Sequence, residues 1–343
     1  MKFDVVVGNP PYQEENIGKN NQATPIYNLF YNLAEKVGRE YVLISPARFL
    51  SNQGATPKSW NRKMLQDNHV KIEYFNSDSS ILFNNVDIKG GVVILYRNEK
   101  NVFDAIDTFI PFEELRNIYL KVSKATTDAI STLVFSPDSY RLTDNLFKDY
   151  PKLIGRTDKS HAKAVSSSIF TRYPEVFFEN DPQDGEQYVR IYGRQSGERL
   201  YRWVKKDYVS SHPNLDKWKV IVPGANGKGT FGETLSSPIV GEPEVGHNQT
   251  FVSIGKFDSE YQAQSLLKYI KSKFGRAMLD IMKTTQNNQS KATWSKVPMQ
   301  NFTENSDIDW KTSISEIDKQ LYEKYNLNEQ EISFIENKVK PMD

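Results

Sequence analysis

The chain has 343 residues, a formal net charge of +1, no cysteine and four histidines. Without cysteine there is no disulfide framework and no thiolate metal site, and His69, His161, His212 and His247 stand at no ligand spacing, so no metal is expected. No run of about eighteen apolar residues and no apolar leader occurs, which argues against secretion or membrane insertion and for a cytoplasmic protein, and the length suits two domains.

The first predicted element is a strand over Phe3–Val7, apolar except for Asp4 and closed by Gly8. It reads as a buried parallel strand running into a rigid turn. That turn is Asn9-Pro10-Pro11-Tyr12, and it offers an amide, a fixed carbonyl and an aromatic ring. An exocyclic amino group on a purine is a poor nucleophile because its lone pair is delocalised into the ring. Two acceptors aimed at its two N–H bonds draw the nitrogen toward sp³ geometry, and the Asn9 side-chain oxygen and the Pro10 carbonyl can be those acceptors. Pro11 fixes its own φ and restricts Pro10, so the carbonyl direction is set in advance. Tyr12 supplies a face for the base, worth about 1–3 kcal/mol of stacking. Such preorganised groups raise a rate without a metal or a proton-relay histidine.

Asn9-Pro10-Pro11-Tyr12 resembles the catalytic motif of the amino-group DNA methyltransferases, in particular the adenine-N6 methylases of bacterial restriction–modification systems. Further segments extend the resemblance in chain order. Ile26-Tyr27-Asn28-Leu29-Phe30-Tyr31 opens an amphipathic helix and looks like the motif lining the cofactor pocket. Tyr41–Ile44 followed by Ser45-Pro46-Ala47-Arg48-Phe49-Leu50 looks like the next strand and its loop. The stretch 81–94 looks like the later motif that brings a second aromatic wall, with Gly90-Gly91 allowing close packing or the turn into a strand over Val92–Tyr96. The resemblance implies transfer of a methyl group from S-adenosylmethionine to the N6 amino group of a flipped adenine in duplex DNA. It implies Asn9, Pro10, Pro11 and Tyr12 as catalytic residues, Tyr12 and Phe83 as walls for the base, and Gly8, Asn9, Tyr27 and Phe30 as cofactor-binding. A core aromatic at a strand entrance is the alternative for Phe83.

In this group an aromatic-x-Gly-x-Gly loop holding the cofactor precedes the catalytic strand, and circularly permuted relatives place it later. Here eight residues precede the motif, and the best later glycine cluster, Gly224-Ala225-Asn226-Gly227-Lys228-Gly229-Thr230, does not lead from a clear strand into a helix. It also fails as a P-loop, because Gly follows the Lys. The expectation is a chain whose first part is absent, as a truncated gene product, an excised piece or one half of a split enzyme. Its cofactor pocket would be incomplete, and Phe3–Val7 would form an open apolar edge that pairs with a partner polypeptide or with a second copy.

The expected fold class is α/β, a partial Rossmann-like methyltransferase domain followed by a mixed α/β target-recognition domain. Residues 1–110 form the catalytic part, 111–151 a connection, 152–302 the recognition domain and 303–343 the C-terminal helices. Strands over Val70–Phe75 and Val92–Tyr96 complete an alternating pattern with parallel connections. Helices follow over Phe112–Lys124 and Thr143–Lys148, then short strands at Tyr188–Tyr192, Val220–Val222 and Phe251–Ile254. Glu260–Lys283 reads as one amphipathic helix, with Leu266, Ile270, Phe274, Ala277 and Ile281 on one face. Ile314–Tyr325 and Glu329–Val339 read as two final helices.

The near-zero net charge hides two basic stretches. Arg190, Arg194, Arg199, Arg202, Lys205 and Lys206 are interleaved with Tyr188, Tyr192, Tyr201 and Trp203, and a second run includes Lys283 and Lys291. Arg190, Arg194, Arg199, Arg202, Lys283 and Lys291 are therefore candidate DNA contacts, although such runs also make ordinary solvated faces. Phe274-Gly275-Arg276, Lys283-Thr284-Thr285-Gln286 and Trp294-Ser295-Lys296-Val297-Pro298 resemble the recognition domains of the same methylases. Two other readings stay open. One is a methyltransferase acting on RNA adenine or protein glutamine; the other is a non-catalytic DNA-recognition fragment or specificity module.

Overall fold

The structure is a computed structural model that describes residues 2–14, 24–51, 55–83, 88, 90–283 and 285–343. The chain divides into two compact units, Met1–Glu113 and Glu114–Asp343. The fold is mixed α/β with several sheets.

In the first unit the elements run β1 (Phe3–Gly8), α1 (Tyr27–Val37), β2 (Gly38–Pro46), α2 (Lys58–Gln66), β3 (Val70–Asn76) and β4 (Val92–Asn98). The sheet order is β1-β2-β4-β3. β1 pairs parallel to β2, but β4 lies antiparallel between β2 and β3, so the expected all-parallel pattern fails at β4. The reason is the connection. Among the described residues the connection 77–91 between β3 and β4 holds only the 3-10 turn Ser79–Ile81, whereas a parallel return needs a crossover over the sheet, usually a helix, as α1 provides between β1 and β2.

α1 buries Tyr27, Asn28, Tyr31 and Ala34, the 3.6-residue stripe the sequence suggested. With Trp60 and Met64 of α2, Tyr27, Tyr31 and Ala34 pack on Tyr41 and Leu43 of β2, Val70 of β3 and Val93 and Leu95 of β4. Val6 reaches the same core from β1. The alternate residues of β1 behave differently: Phe3, Val5 and Val7 are 69, 49 and 74 % exposed. β1 is thus a parallel strand at a sheet edge with one bare apolar face, and the expectation of a buried strand is corrected to that extent.

The second unit begins with α3 (Glu113–Ala125) and continues through β5 (Val134–Phe135), α4 (Asp144–Asp149), α5 (Ile169–Arg172), β6 (Tyr188–Gln195), β7 (Glu198–Lys205), β8 (Trp218–Pro223), β9 (Ile239–Gly241), β10 (Val245–His247) and β11 (Phe251–Phe257). It closes with α6 (Glu260–Lys271), α7 (Lys273–Asp280), α8 (Ile314–Lys324) and α9 (Glu329–Lys338). One sheet has the order β10-β6-β7 and the other β5-β11-β8-β9. β6 and β7 are joined by Ser196-Gly197, whose φ values of +51° and +90° make the tight hairpin turn that suits twisted strands. β7 was not expected from the sequence, because Arg199, Arg202 and Lys205 mask a strand pattern that Leu200, Tyr201, Trp203 and Val204 supply.

The single helix expected over Glu260–Lys283 is two helices. Ser272 leaves helical geometry with ψ at 151°, and its hydroxyl accepts from the Gly275 N–H at 2.9 Å while donating to the Tyr269 carbonyl at 2.7 Å. It closes α6 and caps α7 at once. The apolar periodicity survives the break, which is why the pattern alone did not reveal it.

Candidate active site

Because β1 pairs parallel to β2 and β4 runs against both β2 and β3, β1, β2 and β3 all point the same way. The segments leaving them therefore emerge at one end of the sheet. These are residues 9–12 after β1, 47–51 after β2 and 77–83 after β3. Ligands in open α/β sheets bind outside that end.

The tetrapeptide leaves Asn9 exposed, Pro10 buried, Pro11 exposed and Tyr12 half-buried. Its exit is tied to the start of α1: the Tyr12 carbonyl accepts the Ile26 N–H at 3.1 Å, and the Glu14 N–H donates to the Thr24 carbonyl at 2.9 Å. Burial pushes the Tyr12 hydroxyl up from the usual phenol range, opposed by the neighbouring Asn9 side chain. That hydroxyl has no hydrogen-bond partner of good geometry. Below it, the fully buried Tyr31 hydroxyl is satisfied by Ser45 Oγ at 3.0 Å and by the Leu43 carbonyl at 3.3 Å.

The structure brings Phe83 to Tyr12. Their rings meet edge to face, 6.4 Å between centroids at 78°. Phe83 is held by Ser79, which sequence reasoning missed. The Ser79 carbonyl accepts the N–H groups of Leu82 and Phe83 at 3.1 and 2.9 Å, and its hydroxyl oxygen accepts the Ile88 N–H at 2.8 Å. Asp78 caps this turn through the Ser80 N–H at 3.0 Å. Gly91 then enters β4 at φ +80°, where a Cβ would stand 2.2 Å from the Asn76 carbonyl oxygen, so no other residue fits. Asn84, Asn85, Val86, Asp87 and Lys89 of the quoted motif lie outside the described residues.

The four cofactor candidates are placed unequally. Asn9 is exposed at the end of β1, and a Cβ on Gly8 would make only an ordinary 3.7 Å contact with Leu43, so crowding does not demand glycine there. Phe30 is 37 % exposed on α1. The Tyr27 ring, 4 % exposed, packs against Phe49 and Trp60 at 6.2 and 6.1 Å. Between them sits a residue the sequence reading passed over. Asn28, in the first turn of α1, is 5 % exposed, and its Oδ1 has no partner. A buried acceptor left open is costly, about 1–3 kcal/mol, and is compatible with a ligand that donates to it. The signal was available: Asn28 is the one strongly polar residue on the buried face of an amphipathic helix.

The candidate DNA contacts separate in the second unit. Lys283 is 5 % exposed, buried beside Asp280 and Glu233, and so stands off the surface. Lys291 is exposed at the start of a short 3-10 helix. The β6–β7 register places Arg190 opposite Trp203, Tyr192 opposite Tyr201 and Arg194 opposite Arg199, all on one face. Arg202 pairs with Ile191 on the other face, donating to Glu179 and Gln195 at 3.0 and 3.2 Å. Thr284 of the quoted recognition motif lies outside the described residues. The Gly224–Thr230 cluster is an internally closed loop: Glu233 accepts the N–H groups of Lys228 and Gly229 at 2.9 Å and the Thr230 hydroxyl. Its N–H cradle already holds a carboxylate of this chain.

The family described as Eco57I restriction-modification methylase matches residues 1–83. That span holds the tetrapeptide, α1 and Phe83. No curated protein matches the chain. Among solved structures, the type IIG restriction endonuclease BpuSI is similar at 12% identity and a TM-score of 0.31, over 86% of this chain and 44% of that one. The type IIL restriction-modification enzyme MmeI, in complex with DNA, is similar at 11% identity and a TM-score of 0.44, over 98% of this chain and 56% of that one. The chain spans about half the length of these structures. Among the described residues no helix is long and apolar enough to cross a membrane.

Proposed function

We propose that the chain carries the catalytic strand and the recognition unit of a site-specific DNA methyltransferase acting on the N6 amino group of adenine. The observation that carries this reading is the placement of Asn9-Pro10-Pro11-Tyr12 at the carboxyl end of β1 with the Phe83 ring against Tyr12. The match of residues 1–83 to a restriction-modification methylase family supports it.

Each residue then has a task. Asn9 Oδ1 and the Pro10 carbonyl accept the two N–H groups of the adenine amino nitrogen, and the two prolines keep that carbonyl from turning away. Tyr12 stacks the base after it leaves the duplex. Phe83 touches Tyr12 edge-on, so an entering base displaces that edge and Phe83 becomes the second wall. S-adenosylmethionine, when bound, supplies the electrophilic methyl group. The residues of this chain fit it in part: Asn28 Oδ1, on the buried face of α1, is an unclaimed acceptor, whereas the exposed Phe30 ring, two positions on, lies on the opposite face of the helix. The unpaired edge of β1 is where a further strand extends the sheet, and Phe3, Val5 and Val7 are the bare face beside it that a further element covers.

The test is calorimetric titration of the chain with S-adenosylmethionine, followed by methyl transfer to duplex DNA by wild type and Asn9→Ala. Loss of transfer with binding retained is the expected result. Transfer that survives Asn9→Ala removes the amino-group mechanism.

A further inference from the structure

The proposed DNA-modifying role leaves open which cations meet the nucleic acid, and the hairpin β6–β7 sorts them. Of the six cations between Arg190 and Lys206, four are neutralised within the chain. Arg190 pairs with Glu242 at 2.5 Å, Arg202 with Glu179 at 3.0 Å, Lys205 with Glu186 at 3.0 Å and Lys206 with Glu244 at 2.9 Å. Among the described residues, Arg194 and Arg199 have no carboxylate at ion-pair distance. Arg194 donates only to the Gly197 carbonyl, and Arg199 to those of Ser236 and Ser237. Both are exposed. They also stand directly opposite each other, one rung behind the Gln195–Glu198 pair that flanks the Ser196-Gly197 turn. Like charges in that position destabilise a ribbon, so the arrangement favours an anion that bridges them. The next rungs on the same face carry Tyr201 and Trp203, over which the Arg190 guanidinium lies at 5.4 and 5.6 Å.

We propose that the hairpin tip is a phosphate clamp, in which Arg194 and Arg199 together take the backbone of duplex DNA while Arg190, Arg202, Lys205 and Lys206 hold the unit together. A two-stranded ribbon fits the major groove of duplex DNA, and each guanidinium matches a phosphate with two parallel donors. The inference rests on the reading of the chain as a DNA methyltransferase but makes separate demands.

The experiment is fluorescence anisotropy of a labelled DNA duplex with the full chain, titrated at a series of salt concentrations. Each phosphate contact contributes about 0.9 to the slope of log affinity against log salt. Arg194→Gln and Arg199→Gln should each flatten the slope by about that amount, with Arg→Lys at either position restoring it, while Arg202→Gln leaves it unchanged. Thermal melting of each variant checks that the fold is kept. No salt-dependent binding by the wild-type chain, an unchanged slope in the Arg194→Gln/Arg199→Gln double variant, or an equal loss in Arg202→Gln overturns the clamp. Cofactor titration of the same wild-type chain reads the methyltransferase proposal independently, so either can fail alone.

Discussion

The rings of Tyr12 and Phe83, 71 positions apart in sequence (83 − 12), meet edge to face with centroids 6.4 Å apart. Tyr12 leaves the end of β1 and Phe83 leaves the turn after β3, so only the common direction of these strands brings them together. If the pair forms the slot for a flipped base, Phe83→Ala removes one of two stacking walls, worth about 1–3 kcal/mol. The affinity for a duplex carrying a fluorescent purine at the target position should fall roughly 5- to 150-fold, with little change in melting temperature, because Phe83 is only partly buried. Unchanged fluorescence and rate would return Phe83 to the role of a packing residue.

Asn28 sets stability against binding. Its side-chain oxygen is buried without a partner, a cost of about 1–3 kcal/mol to the free protein. Asn28→Leu removes that cost on a helix face already shared with Tyr27 and Tyr31. The variant should melt higher than wild type and bind S-adenosylmethionine more weakly. Higher stability with undiminished binding would leave Asn28 a strained residue with no ligand. Lower stability would mean that the side chain has a partner in solution.

How much of this was legible in the sequence varies with the range of the forces involved. The tetrapeptide, the stripe of α1 and the strand over Val92–Tyr96 are local patterns, and the structure follows them within a few residues. β4 lying antiparallel was not legible, because alternation along a strand carries no direction. The pairing of Arg202 with Glu179 was hidden as well, since a cation run does not show which acids fold back onto it. Asp318 is the plainest case. It accepts the N–H groups of Lys273 and Phe274 at 3.0 and 2.9 Å, so the first turn of α7 is satisfied by a carboxylate on α8, 45 residues along the chain from Lys273. Nothing near Ser272 in the sequence announces that acceptor.

Asp318 therefore supports a prediction of its own. Replacing it by Ala leaves two buried N–H groups at a helix start without an acceptor, which should destabilise the second unit by roughly 2–4 kcal/mol, taking 1–2 per group. Asp318→Asn, which keeps one acceptor oxygen, should lose less. Chemical denaturation of the three proteins gives the order directly, and an Ala variant as stable as wild type would mean that water replaces the carboxylate.

The last prediction concerns acid. His247 is fully buried on β10, its Nδ1 on the Asn248 carbonyl at 3.0 Å and its Nε2 on Ser253 Oγ at 3.1 Å. Burial is the main cause that pushes its pKa down to about 3, with Lys219 and His212 adding to it. An unfolded histidine takes up a proton near pH 6.5. Between these values the unfolded chain holds a proton that the folded chain refuses, so stability falls as pH drops from about 6.5 toward 3, by at most about 1.4 kcal/mol per pH unit. Buried Asp280 and Asp318, raised to about 7 and about 6 by burial, act in the opposite sense as they are protonated, and they mask the effect in wild type alone. The informative quantity is the difference in unfolding free energy between wild type and His247→Gln. It should shrink steadily on acidification below pH 6.5, because the glutamine variant has no proton to take up at that position. A difference that stays level across that range would mean that water reaches the imidazole and that His247 titrates in the folded chain as it does in the unfolded one.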